Sequence, residues 1–188
     1  MDATIAIKND EQNFIAACIR EEEWAQKQLY EAYYSRMYPV CLRYAVDEEE
    51  ALDILHEGFI KIFRHISKYT VGTSLTAWIR RIMVNTSIDY YRKKARRRTE
   101  DIDNARSLSN SDPDVISHMS AQEIISALQK LSPAYRAVFN LYVIEGYPHK
   151  EIADQLGITE STSRSNLVKA RTKLKHILIS SGTITDRK

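Results

Sequence analysis

The stretch His149-Lys-Glu-Ile-Ala-Asp-Gln-Leu-Gly157-Ile158-Thr159 decides how the C-terminal part of this chain folds. It reads helix, turn, helix. Ala153 is small enough for two helices to cross closely, and Gly157 is free to take the left-handed conformation that ends the first of them. Ile158 is expected to pack beneath the turn. Thr159 is a cap for the next helix, which apolar spacing carries from Glu160 to about Ile179. Leu167, Leu174 and Ile177 should hold that helix to a core. Arg164, Ser165, Val168, Lys169 and Arg171 are left mainly on its outer side, a set of side chains suited to a major groove. A plain helical hairpin with a solvated basic face has the same spacing, so the motif alone leaves both readings open.

Upstream, Ile124, Ile125, Leu128 and Leu131 recur as a helix would place them, and Ser132-Pro133 offers an N-cap followed by proline at the first helical position. That next helix is expected to run to Gly146 through Val138, Leu141 and Tyr142. Residues 99–117 carry Asn, Ser, Asp and Pro113 without apolar periodicity and read as a mobile acidic linker.

The N-terminal part is helical as well. Phe14, Ile15 and Cys18 mark a short segment over 11–20. Leu29, Tyr33, Met37, Val40, Cys41 and Tyr44 mark a longer helix from about Trp24 to Ala45, with a kink expected at Pro39. Asp47 to Glu50 open the next helix, where acids favour the positive end of the dipole. Its apolar stripe is Leu52, Leu55, Phe59, Ile62, Phe63 and Ile66, with Asp53, His56, Glu57 and Lys61 largely opposite. A loop over 67–73 precedes a helix from about Leu75 to Arg92 that runs out into Lys93-Lys94-Ala95-Arg96-Arg97-Arg98. Leu75, Ile79, Ile82 and Thr86 can face a core. Trp78, Arg81, Asn85 and Arg92 share another stripe, where a ring, cations and an amide are what unpaired DNA requires. The competing view of Trp78 is a partly buried core tryptophan.

The formal net charge of +2 conceals segregation. Residues 1–60 hold 5 basic residues against 13 acids, whereas 61–99 hold 11 against one. Residues 100–133 hold 2 against 6, and 134–188 hold 9 against 5. Two basic blocks separated by acidic ones point to two anion-binding surfaces, with nucleic acid the first candidate. Cys18 and Cys41 lack metal-site spacing and read as reduced core thiols of a cytosolic protein. The acidic N-terminus argues against a secretory signal, and no stretch reaches membrane-spanning length. His56-Glu57 lacks the second histidine of a zinc helix, because Ile60 stands there. No glycine-rich phosphate loop and no nucleophile triad is recognisable, so no catalytic residue, cofactor or metal is expected. A nuclease would want carboxylates near the basic helix, and only Asp89 lies there.

Taken together, these residues resemble the extracytoplasmic-function group of bacterial sigma-70 factors, from about Gln26 to Leu178. Leu29-Tyr30-Glu-Ala-Tyr33-Tyr34 and Arg43-Tyr44 are similar to the first conserved helix of the sigma-2 domain. Glu50 to Phe59 resembles the segment that grips the clamp helices of the polymerase, with His56 where the family usually has glutamine. Leu75-Thr-Ala-Trp78-Ile79, Ile82-Met83-Val84-Asn85 and Asp89-Tyr90 resemble the segment that melts and reads the −10 element. The family's base-capturing loop corresponds to Lys68 to Ser74. Leu131 to Arg136 and the helix-turn-helix resemble the sigma-4 domain, which reads the −35 element. There Ser163 replaces an apolar residue and Asn166 a basic one.

The resemblance implies an all-α fold of two small helical domains: 11–98 sigma-2-like, 99–117 linker and 118–180 sigma-4-like. It implies core RNA polymerase, promoter DNA and an anti-sigma factor as partners, and the bacterial cytoplasm as the location. Core polymerase would be bound through Asp53, His56, Glu57 and Lys61. The −10 element would be bound through Trp78, Arg81, Asn85, Asp89, Arg92 and Lys93. The −35 element would be bound through Thr162, Arg164, Ser165, Val168, Lys169 and Arg171. Glu100, Asp101, Asp103, Asp112 and Asp114 of the linker would suit the polymerase's basic RNA exit channel, or serve as a simple spacer. The principal alternative is a stand-alone helix-turn-helix regulator, which leaves the acidic helix and the Trp78 stripe without a role.

Overall fold

A computed structural model describes residues 10–98 and 121–180, all of them in helices and short connections. The linker placed at 99–117 lies outside the described residues. The helices are α1 (Glu11–Ile19), α2 (Glu23–Leu42), α3 (Glu48–His65), α4 (Leu75–Arg98), α5 (Ala121–Gln129), α6 (Pro133–Phe139), α7 (His149–Leu156) and α8 (Glu160–Ser180). The chain divides into two compact units, Met1–Ser87 and Ile88–Lys188.

In the first unit α2 packs along α3, and α1 closes over α2 and a 3-10 turn at Ile66–Lys68. Asp47 caps α3 by accepting the Glu50 N–H at 2.9 Å, so the acidic run does start that helix. Its buried face is Ala51, Ile54, Leu55, Gly58, Phe59 and Ile62. Leu52 and Phe63, expected in that stripe, are only half-buried, and Ile54 takes the inner place. On the same buried face Gly58 leaves room for α4: a Cβ there would collide with the Met83 sulfur. α2 continues three residues beyond Pro39. The Tyr33 hydroxyl meets Thr76 Oγ1 at 3.3 Å and ties α2 to α4. Cys18 and Cys41 are free and buried, and burial pushes their thiols up to about 11 and about 12.

In the second unit α5, α6 and α7 pack against α8. Ser132 stands at the N-cap of α6 with Pro133 behind it, though its side chain makes no cap bond. Arg136 is 2% exposed and sends Nη2 to the carbonyls of Gln129 and Leu131, at 3.3 and 3.1 Å. A buried guanidinium thus satisfies the Gln129 carbonyl at the C-terminus of α5 and the Leu131 carbonyl in the connection to α6. The helix expected to reach Gly146 instead widens into a π turn at Asn140–Ile144. There Glu145 N–H reaches the Asn140 carbonyl, and Tyr147 N–H reaches that of Leu141 across Gly146, which has φ +77°. Gly157 has φ +67°, ends α7, and lets Ile158 N–H return to the Ala153 carbonyl at 3.1 Å.

Candidate nucleic-acid interface

The exposed face of α3 presents Asp53, His56 and Glu57 to solvent, with half-buried Lys61 paired to Glu57 at 3.5 Å. Ile60, 55% exposed, sits among them and was not singled out in the sequence. An apolar side chain ringed by charges suits a protein partner more than DNA.

On α4, Leu75, Ile79, Met83 and Thr86 face the core, while Ile82, expected inside, is half-buried. Met83 was missed because nothing local marks the gap at Gly58. Arg81, Asn85 and Asp89 recur every fourth residue and are all exposed, so one helical stripe carries a cation, an amide and a carboxylate. Lys93 is exposed further along α4, and Arg92 is half-buried. Trp78 is half-buried as well. Its ring lies 5.7 Å from that of Tyr69, so an aromatic pair connects α4 to the loop before it.

That loop is shaped by its own bonds. Thr73 N–H and Oγ1 both return to the Thr70 carbonyl, at 3.2 and 2.7 Å. Gly72 takes φ +86° at the third position of the turn, a conformation other residues resist. Lys68, Thr70, Val71, Thr73 and Ser74 are exposed, whereas Tyr69 is buried. Burial pushes the Tyr69 phenol above its usual range, with its bonds to Thr73 and Glu11 pulling in opposite directions.

On α8, Thr159 caps the helix by accepting the Thr162 N–H at 3.1 Å. Ser161, Thr162, Arg164 and Ser165 are exposed on the first two turns, and Val168, Lys169 and Arg171 are half-buried. Arg164 pairs with Glu160 one turn back, so its guanidinium is engaged within its own helix. Leu167, Leu174 and Leu178 are buried; Ile177, expected in the core, is half-buried because Leu178 takes that place. Ser163 is fully buried and its Oγ lies 2.9 Å from His149 Nδ1, with the His149 ring stacked on Tyr142 at 4.4 Å. Desolvation first, and then the Arg164 charge, hold His149 below its usual 6.5.

Among the described residues no group of acids, histidines and cysteines is arranged to hold a metal ion, and no helix is long and apolar enough to cross a membrane.

The Sigma-70 region 2 family matches residues 29–97, and the Sigma-70, region 4 family matches residues 121–174. The chain is 31% identical over 157 residues to ECF RNA polymerase sigma factor SigE of Mycolicibacterium smegmatis, covering 80% of this chain and 60% of that longer relative. It is 30% identical over 134 residues to RNA polymerase sigma factor SigZ of Bacillus subtilis, covering 70% of this chain and 74% of that one. The solved sigma factor RpoE of Bartonella quintana, in complex with the anti-sigma factor NepR, is 20% identical, with a TM-score of 0.49 over 86% of this chain and 98% of that one. Both sigma regions occur in one chain in this order, and the chain belongs to the sigma-70 family of RNA polymerase sigma factors, in its extracytoplasmic-function group.

Proposed function

We infer that this protein binds core RNA polymerase and directs it to particular promoters. The observation that carries this is the presence of regions 2 and 4 in one chain; the exposure of Arg81, Asn85 and Asp89 on α4 and of Thr162, Arg164 and Ser165 on α8 supports it. Asp53, His56, Glu57 and Lys61 of α3 dock on the polymerase. Trp78, Arg81, Asn85, Asp89, Arg92 and Lys93 of α4 engage the −10 element as it melts, and the loop over 68–74 takes up a flipped base. Thr162, Arg164, Ser165, Val168, Lys169 and Arg171 of α8 meet the −35 duplex.

The chain contributes positioning and DNA strand separation. Bond chemistry belongs to the polymerase, and we assign no enzymatic activity to the factor itself. It works in the bacterial cytoplasm, restrained by an anti-sigma factor. A stand-alone regulator would use only the second unit, and would leave the region 2 match and the stripe of Arg81, Asn85 and Asp89 unexplained.

The test is transcription in vitro from genomic fragments by purified core polymerase, with and without this chain. New transcripts with defined start sites should appear only with the chain. Tight duplex binding without polymerase, and no chain-dependent transcript, would favour the regulator.

A further inference from the structure

Glu11 opens α1 and lies outside the matched sigma regions. Its carboxylate reaches across to the loop before α4. One oxygen lies 2.9 Å from the Tyr69 hydroxyl, and the other accepts the Gly72 N–H at 2.9 Å. Tyr69 is 58 residues away in sequence and Gly72 is 61 away. The single Tyr69 proton is shared between Glu11 and the Thr73 carbonyl at 2.7 Å.

The clasp acts on the loop's least ordinary backbone. Gly72 is in the left-handed region, where its N–H turns toward Glu11. No other residue would surround Gly72 tightly, since nothing lies within 4 Å of a Cβ built there. At Gly72, therefore, hydrogen bonds and not packing hold the backbone. Tyr69 then carries the constraint inward, because its ring lies against Trp78. A charged acceptor makes stronger bonds than a neutral one, and an acid at the first position of α1 also suits the helix dipole.

We propose that Glu11 is a positioning residue for base recognition: by clasping Tyr69 and Gly72 it holds the 68–74 loop in the shape that receives a flipped base. This rests on the assignment of that loop to the −10 element. Glu11 need not touch DNA. Its removal should cost discrimination between bases more than it costs polymerase binding or the fold.

The experiment uses the full chain with core polymerase and a fork-junction DNA taken from a promoter that the parent protein activates, with each −10 base replaced in turn. The readout is the ratio of open-complex formation on the original and replaced bases. Glu11→Ala should lower that ratio about three- to tenfold at the position the loop receives, the scale of one net hydrogen bond. Glu11→Gln keeps the length and one carbonyl acceptor and should fall between Glu11→Ala and the parent. Its near-identical shape keeps the test valid if Glu11→Ala folds poorly. Gln12→Ala, exposed beside it, should match the parent. In the free protein, Gly72 amide exchange should accelerate in Glu11→Ala. If the parent discriminates and folded Glu11→Ala and Glu11→Gln discriminate equally well, the clasp has no part in recognition. If the parent with core polymerase opens no promoter at all, the −10 assignment itself fails and takes this proposal with it.

Discussion

His149 Nδ1 lies 2.9 Å from the Oγ of Ser163, and this bond joins the first residue of α7 to the buried side of α8. Ser163 is fully buried, so its hydroxyl needs a partner, and His149 supplies it. The serine that departs from the family's apolar residue is thereby accommodated.

This pair predicts an acid-sensitive second unit. The folded pKa of His149 is lowered below the usual 6.5, by desolvation first and Arg164 second, with Arg171 acting alike and Glu160 opposing. A lowered folded pKa means that the unfolded chain takes up the proton more readily. The resulting stability is present above about 6.5 and lost as the pH falls through the lower folded value. Thermal melts should show the unit weakening between neutral and mildly acidic pH. His149→Phe should lose that slope, and an unchanged slope would place the titrating group elsewhere.

Gly58 predicts a steric lesion in the first unit. Alanine is the better helix former by about 1 kcal/mol, yet its Cβ would collide with the Met83 sulfur. Overpacking of this kind costs about 1–3 kcal/mol, so Gly58→Ala should be neutral to destabilising despite its propensity. Adding Met83→Leu, which removes the sulfur, should recover part of the loss in urea unfolding. A clear stabilisation by Gly58→Ala alone would mean that Met83 swings away freely.

Arg164 should read bases once it leaves Glu160. A guanidinium held on a guanine contributes about 1–3 kcal/mol of discrimination. Arg164→Ala should erase most of the preference for an intact over a scrambled −35 element, whereas Lys173→Ala should preserve it. Glu160→Ala, which frees the guanidinium from its intrahelical partner, should bind DNA more tightly. Full preference in Arg164→Ala would move the base-reading role to other residues of α8.

Asp53→Ala combined with His56→Ala should weaken capture of core polymerase and leave helix content intact, because both side chains are exposed. Ile60→Asp should weaken it further by placing a charge in the apolar centre of the same face. Parent-like capture by these folded variants would remove α3 from the docking surface.

The elements written in local chemistry were legible. Asp47 and Thr159 cap the helices they precede, and Gly157 ends α7, because each acts within four residues of itself. Helical spacing also identified the face of α4 that carries Arg81 and Asn85. Spacing failed where a close approach decided which side turns inward. Ile54 and not Leu52 turns inward on α3, and what lies against Gly58 is Met83, a fact about the neighbouring helix α4 that the spacing of α3 does not carry. The π turn at Asn140–Ile144 depends on how its carbonyls are satisfied beyond Gly146. Contacts such as Glu11 with Gly72 join residues too far apart for any periodicity to announce them. Ser163 was visible only as a departure and His149 only as the start of the helix-turn-helix stretch, and their pairing required the fold.

Cys18 and Cys41 both lie in the first unit, buried and held as thiols by their surroundings. Since the thiolate is the reactive form, neither sulfur answers to an oxidant or an alkylating reagent while that unit stays closed. The two sulfurs therefore act as a timer for one half of the molecule: at reagent concentrations where trapping outpaces reclosing, its rate is the rate at which the first unit opens, recorded without reference to the second. Mixed with its partners, the protein would report through slowed trapping which of them clamps that half shut.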